Sequence, residues 1–172
     1  MRFKGLYLLV LVLLFSCKQN EKKEIREAIS EKIEGIKVYN YSQLEPLLNK
    51  KDDKTYVVNF WATWCKPCVD ELPVFEKINT EFKDKNVEVL LVSLDFSNQI
   101  EDQLIPFIKD NKLQSKVVLL DDPDQNKWIN KINEKWSGAI PATLIYNKNK
   151  RAFYEQSFEY ESLLKELNKL IN

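Results

Sequence analysis

The sequence predicts an α/β domain in which a central mixed sheet is flanked by helices. Apolar runs typical of buried strands alternate with segments whose apolar residues recur at helical spacing, which is the main sign of this class. The last two apolar runs, 142–146 and 151–154, flank the polar segment 147–150 and predict a hairpin with an antiparallel edge. An amphipathic pattern over 160–171 predicts a closing helix. A chain of 172 residues suits one compact domain with an appendage.

The first half of the domain has the pattern strand, helix, strand, helix. Residues 36–39 predict a short strand and residues 42–49 a short helix. Residues 56–61 are almost all apolar or aromatic, as expected of a buried strand. Apolar residues then recur at helical spacing, which predicts a helix over 67–83. Pro73 lies inside this helix and is expected to kink it.

The second half continues the alternation of strands and helices. Residues 87–94 form the strongest predicted strand, because valine and leucine dominate the segment. A helix is predicted over 100–112 and a short strand over 117–120. Three aspartates and a proline at 121–124 predict a turn, which opens a short helix ending near Ile132.

Residues 1–17 have the outline of a signal peptide, with basic residues before an apolar run. The run is shorter than the about 20 residues that cross a bilayer, so a retained transmembrane helix is the weaker alternative. Its end, Leu14-Phe15-Ser16-Cys17, resembles the lipobox of bacterial lipoproteins. That resemblance implies a lipidated Cys17 and a membrane-anchored protein on the extracytoplasmic, periplasmic side; a leader cysteine without a role is the alternative. Residues 18–35 are interpreted as a charged tether, which leaves residues 36–172 for the folded domain.

Composition excludes several functions. The 26 basic residues balance the 26 acidic residues, so no global charge points to a nucleic-acid partner. The absence of histidine excludes serine hydrolase triads, imidazole metal ligands and c-type haem attachment. The two cysteines beyond Cys17 are too few for a closed zinc site. We therefore predict neither a metal site nor a cofactor.

The chemistry of the chain is predicted to reside in Cys65 and Cys68, which follow the strand over 56–61. A cysteine at a helix N-terminus is stabilised as the thiolate, which is the nucleophile in disulfide exchange. Cys65 precedes the helix and is expected to be exposed and to attack, whereas Cys68 is better shielded and resolves the mixed disulfide. Lys66 adds a positive charge beside the thiolate, and Pro67 suits a first helical turn. An inert structural disulfide is the alternative, although so short a loop would stabilise the fold weakly.

The segment Asn59-Phe60-Trp61-Ala62-Thr63-Trp64-Cys65-Lys66-Pro67-Cys68 resembles the active-site segment of the thioredoxin superfamily. It is most similar to the membrane-anchored, extracytoplasmic thiol-disulfide oxidoreductases of the TlpA/ResA type. The resemblance runs from about residue 36 to the end of the chain and implies a thioredoxin-like fold. Residues 100–136 resemble the central insertion of the TlpA-like branch.

The resemblance also assigns roles to particular residues. Ile140-Pro141 matches the cis-proline loop that faces the active site in this superfamily, and the backbone of Ile140 would pair with an extended substrate segment. Glu71 matches an active-site glutamate that takes the proton of Cys68; a solvent-facing glutamate is the alternative. Asn59 stands where thioredoxin has a buried aspartate. The residues expected to bind substrate are Trp64, Lys66, Pro67, Ile140 and Pro141.

The implied function is disulfide exchange, in the reducing direction, with other exported proteins. The implied partners are disulfide-bearing exported proteins and a membrane electron donor, and cytochrome c maturation is one setting known in this branch. A lipoprotein that uses the fold only to bind peptides or exported clients is the alternative. A peroxide-reducing redoxin is disfavoured, because Thr63 lies two residues before Cys65 and the peroxidase motif requires three.

Overall fold

The computed structural model describes residues 36–171, which form one compact unit built on a six-stranded sheet. The strands are β1 (Lys37–Tyr39), β2 (Thr55–Trp61), β3 (Val87–Ser93), β4 (Lys116–Leu120), β5 (Ala142–Tyr146) and β6 (Arg151–Tyr154). Their order across the sheet is β1-β4-β3-β2-β5-β6. The predicted signal peptide and tether lie outside the described residues.

The sheet is mixed, with its antiparallel part at one side. Strands β1, β4, β3 and β2 pair in parallel, whereas β5 pairs antiparallel to both β2 and β6. All seven residues of β2 are buried, because this strand has neighbours on both edges and helices on both faces. This arrangement confirms the predicted mixed sheet and its terminal hairpin.

Five α-helices accompany the strands of the described residues. They are α1 (Tyr41–Leu44), α2 (Lys66–Phe82), α3 (Ile105–Asp110), α4 (Gln125–Ile132) and α5 (Tyr160–Ile171). Helix α2 continues through Pro73 and buries the apolar residues that recur at helical spacing, while α5 contacts α2 and buries its own leucine stripe. No helix within residues 36–171 is both long and apolar enough to cross a bilayer.

Two predicted helices are less regular than the sequence indicated. The segment predicted as a helix over 42–49 is the single turn of α1 followed by a 3-10 turn over Glu45–Leu48. The predicted helix over 100–112 starts as a π-helical turn, in which the Ile105 N–H donates to the Ile100 carbonyl. Pro106 follows directly and has no N–H to donate, which accounts for an irregular start to α3.

An aromatic cluster fills one face of the sheet beneath the hairpin. The Trp136 ring lies 4.9 Å from that of Phe60, 5.4 Å from that of Phe153 and 5.6 Å from that of Trp128. Trp128 and Trp136 are both buried, and each indole N–H donates to a backbone carbonyl. The cluster fixes the segment that leads into β5, and thereby the backbone opposite the cysteines.

Candidate active site

The two cysteines lie at the junction between the end of β2 and the start of α2. Cys65 is the N-cap of α2, and its carbonyl accepts from the Val69 N–H at 3.0 Å. Its own N–H donates to the Ala62 carbonyl at 3.1 Å, which closes a tight turn after the strand. Cys65 and Cys68 are joined by a disulfide, with 5.3 Å between their Cα atoms. The structure therefore presents the oxidised form of the pair.

Accessibility distinguishes the two sulfurs less sharply than expected. Cys65 is only 6% exposed, so the expectation of an exposed thiol is wrong for this oxidised form; Cys68 is completely buried. The Cys65 Sγ packs against the prolyl loop, 3.8 Å from the Ile140 carbonyl oxygen, and this contact contributes to its burial. The order of accessibility remains as predicted, with Cys65 the less buried of the two.

The Ile140–Pro141 peptide bond is cis. Pro141 is buried and precedes β5, which pairs antiparallel with β2 so that Ala142 lies opposite Phe60. This register brings the prolyl loop to the end of β2 that carries the cysteines. The loop that the resemblance assigned to the active site thus faces Cys65 with its backbone carbonyl.

Glu71 lies under the site, one turn of α2 beyond Cys68. Its side chain is buried, so the solvent-facing alternative is wrong. Oε1 accepts from the Asn59 Nδ2 amide at 2.8 Å, and Oε2 accepts from the Phe158 backbone N–H at 2.7 Å. Burial raises the pKa of Glu71 to about 7, against the opposing effect of these two hydrogen bonds. A carboxyl with this pKa exchanges protons readily near neutral pH.

A buried carboxylate that the sequence analysis missed fixes the loop before Cys65. Asp95 follows β3 and accepts from the Thr63 backbone N–H at 3.1 Å, the Thr63 hydroxyl at 2.6 Å and the Ser93 hydroxyl at 2.7 Å. Gln103 Nε2 donates to the Thr63 hydroxyl at 2.6 Å. The only indication in the sequence was two polar residues, Ser93 and Asp95, at the end of the strongest predicted strand. Nothing in the sequence identified their hydrogen-bond partners.

Replacing Asp95 with alanine is expected to destabilise the oxidised protein by about 2 kcal/mol, because it leaves the Thr63 N–H and the Ser93 hydroxyl without their acceptor. Urea unfolding measures the change. Asp84→Ala is the matched control, since Asp84 is exposed, and it should change stability by no more than about 0.5 kcal/mol. Equal effects of the two substitutions would contradict a fixing role for Asp95.

The rim of the site combines exposed aromatic and charged side chains. Trp64 is 56% exposed, whereas Trp61 is fully buried against the Phe107 ring. Lys66 is exposed, and its Nζ lies 2.8 Å from the Asp70 carboxylate one turn later. The positive charge predicted beside the Cys65 thiolate is therefore partly neutralised by Asp70, and water screens the remainder.

A family model described as AhpC/TSA matches residues 30–152, which is well over half of the chain. The chain belongs to the AhpC/TSA family. The thioredoxin-like resemblance predicted from the sequence is confirmed by this match and by relatives named for thiol-disulfide exchange. This AhpC/TSA member is 43% identical over 58 residues to thiol-disulfide oxidoreductase ResA of Oceanobacillus iheyensis, a match covering 34% of the chain and 30% of that relative.

A second ResA, from Halalkalibacterium halodurans, is 28% identical over 102 residues, which cover 59% of this AhpC/TSA member and 53% of that relative. These curated relatives are thus matched over about half of their length or less. The crystal structure of a secreted thiol-disulfide isomerase from Corynebacterium glutamicum superimposes with a TM-score of 0.58 at 22% identity, covering 70% of the chain and 72% of that structure. It confirms the thioredoxin-like fold.

Proposed function

We propose that the protein is a thiol-disulfide oxidoreductase that works through Cys65 and Cys68. The observation that carries the proposal is a redox pair at the start of α2 with a proton acceptor buried beneath it. Cys65 is the N-cap residue, Cys68 lies in the first turn, and Glu71 has a pKa of about 7 one turn further on. A purely structural disulfide would need neither an ionisable carboxyl nor a backbone acceptor beside its sulfur.

The reaction starts from the dithiol form of the protein. The helix N-terminus favours the Cys65 thiolate, which attacks one sulfur of a client disulfide and releases the other sulfur as a thiolate that takes up a proton. Glu71 then accepts the proton of Cys68, and the Cys68 sulfur attacks the Sγ of Cys65. The client leaves as a dithiol, and two electrons have passed from the protein, which is left with the disulfide seen here.

Clients are held by the surface around the disulfide. The Ile140 carbonyl lies 3.8 Å from the Cys65 sulfur, so a strand of the client that hydrogen-bonds this backbone brings its own cysteine to Cys65. Pro141 contributes no N–H at this point. Trp64, Lys66 and Pro67 form the exposed opposite rim and contact the flanking residues of the client.

The setting of the reaction is outside the cytoplasm. The signal-peptide pattern over 1–17 and the lipobox-like Cys17 support an exported protein anchored by lipid. The similar Corynebacterium glutamicum protein is described as secreted. In the reducing direction the protein must be re-reduced by a membrane electron donor, and its clients are exported proteins with disulfides, among them apocytochromes awaiting haem attachment.

Trapping with Cys68→Ser tests this function. Without the second sulfur the mixed disulfide between Cys65 and the client cannot be resolved. Covalent adducts should therefore accumulate when the reduced variant is mixed with exported proteins whose disulfides are intact. Non-reducing gels followed by peptide mass mapping identify the cysteine that carries each adduct.

The matched control is the double variant Cys65→Ser, Cys68→Ser, which should form no adduct through this site. Adducts that persist in the double variant, or none in Cys68→Ser, would contradict the proposal. The second outcome is what a lipoprotein that binds clients without catalysis would give.

A further inference from the structure

The hydrogen bonds around Glu71 suit only one of its two protonation states. Both carboxyl oxygens accept, one from Asn59 Nδ2 at 2.8 Å and the other from the Phe158 backbone N–H at 2.7 Å. An ionised carboxylate is satisfied by two donors, whereas a protonated carboxyl also carries an O–H that needs an acceptor. In a buried site a proton without an acceptor is costly. Proton transfer to Glu71 therefore requires a change among its neighbours.

The Asn59 side chain, which now donates to Glu71, also carries the acceptor that a protonated Glu71 needs. Asn59 is fully buried, and its Oδ1 has no hydrogen-bond partner among residues 36–171. Rotation of the side-chain amide by a half turn exchanges the places of Nδ2 and Oδ1. Nδ2 also lies 3.3 Å from the Thr143 hydroxyl and 3.5 Å from the Ala142 carbonyl oxygen, both of which accept. After the rotation the Thr143 hydroxyl turns to donate to Oδ1, whereas the Ala142 carbonyl loses only this longer contact.

We propose that Asn59 is a positioning residue for proton transfer at Glu71, whose amide presents Nδ2 to the ionised carboxylate and rotates to present Oδ1 to the protonated carboxyl. The inference rests on the proposed function, in which Glu71 takes up the proton of Cys68. The rotation gives a hydrogen bond to each protonation state, which lowers the cost of moving a proton into a buried site.

Few other groups compete for this role. Cys68 lies one turn before Glu71 on α2 and is the source of the proton. Strands β2 and β5 contribute Asn59, Thr143 and the Ala142 carbonyl, and the segment before α5 contributes the Phe158 N–H; none of these groups is charged. Tyr154 of β6 packs its ring against Phe158, but its hydroxyl donates to Glu166. Burial is the largest cause of the raised pKa of Glu71, and no ionic neighbour contributes to it.

Nuclear magnetic resonance of the oxidised full-length protein tests the inference. Carbon-13 labelling of glutamate carboxyls follows Glu71, and nitrogen-15 labelling of asparagine amides follows Asn59, from about pH 5 to about pH 9. The Asn59 amide signals should shift with the same midpoint as the Glu71 carboxyl. An Asn59 amide that stays constant while Glu71 titrates, or a Glu71 that does not titrate in this range, would overturn the inference.

Two variants sharpen the result. Asn59→Leu keeps the approximate shape but removes the donor to the carboxylate, so the Glu71 midpoint should rise by about one pH unit, because the bond to the ionised form is the stronger one. Asn126→Leu is the matched control, since Asn126 is exposed on α4, and it should move the midpoint by a small fraction of that. An unchanged midpoint in Asn59→Leu would overturn the inference.

The outcome is separable from that of the proposed function. Coupled titration of Asn59 and Glu71 is read in the oxidised protein and needs no client, whereas the mixed-disulfide trap depends on the cysteines. If the mixed-disulfide trap fails but Asn59 and Glu71 titrate together, the proposed function is contradicted and the inferred rotation of Asn59 is supported. If the trap succeeds but the Asn59 amide signals do not change with pH, only the inference about Asn59 is contradicted.

Discussion

Cys65→Ala should lower the rate of disulfide exchange by about a thousandfold or more, because it removes the atom that attacks the client. Cys68 does not replace it, since its sulfur is completely buried under the helix start and lacks the N-cap position. The measurement is the steady-state reduction of a small aromatic disulfide reporter by the full-length protein, with a chemical reductant supplying electrons.

Cys17→Ser is the matched cysteine control. Cys17 lies in the segment predicted as a leader, and we expect it to take no part in the exchange, so the variant should retain the activity of the wild type toward a soluble reporter. Substantial activity in Cys65→Ala, or a loss in Cys17→Ser as large as that in Cys65→Ala, would contradict the assignment of Cys65 as the nucleophile.

Glu71→Gln should remove a pH dependence of stability worth up to about 3 kcal/mol. Burial raises the pKa of Glu71 from an ordinary value of 4.5 to about 7, so between these values the folded protein binds a proton that the unfolded chain has released. The contribution of Glu71 is therefore fully present below about pH 4.5 and is lost as the pH rises through about 7. Glutamine does not ionise and should lack this decline.

Urea unfolding of the oxidised protein at a series of pH values provides the test, and the informative quantity is the difference between variant and wild type. Glu134→Gln is the matched control, because Glu134 is exposed and its replacement should leave the pH profile of the wild type. If Glu71→Gln follows the same profile as the wild type between about pH 4.5 and about pH 7, the buried acid is not the source of the dependence.

Most of the fold follows from local patterns in the sequence. The bounds of β2, α2, β5 and α5 differ from the predicted ones by a residue or less, because each carries an unbroken apolar run or stripe. The irregular start of the helix around residue 100 was missed, since an apolar residue every three or four positions fits a π-helical turn about as well as an α-helical one.

The residues of the site likewise fall into those that a local sequence motif predicts and those that it does not. The cysteine pair and the prolyl loop carry local motifs, so their positions were predictable from short segments. Asp95 and Phe158 were not, because their contacts with Thr63 and Glu71 join residues far apart in the chain and depend on how strand ends meet. The exposure expected of Cys65 was wrong because sequence spacing does not reveal what the oxidised sulfur packs against.

The central claim is that the sulfurs differ in reactivity, with Cys65 attacking and Cys68 resolving. The most direct measurement is the alkylation rate of each cysteine in the reduced full-length protein, with iodoacetamide as the probe and peptide mass mapping to separate the sites. The account predicts that Cys65 reacts at least about tenfold faster than Cys68 at neutral pH. Equal rates, or faster modification of Cys68, would contradict it.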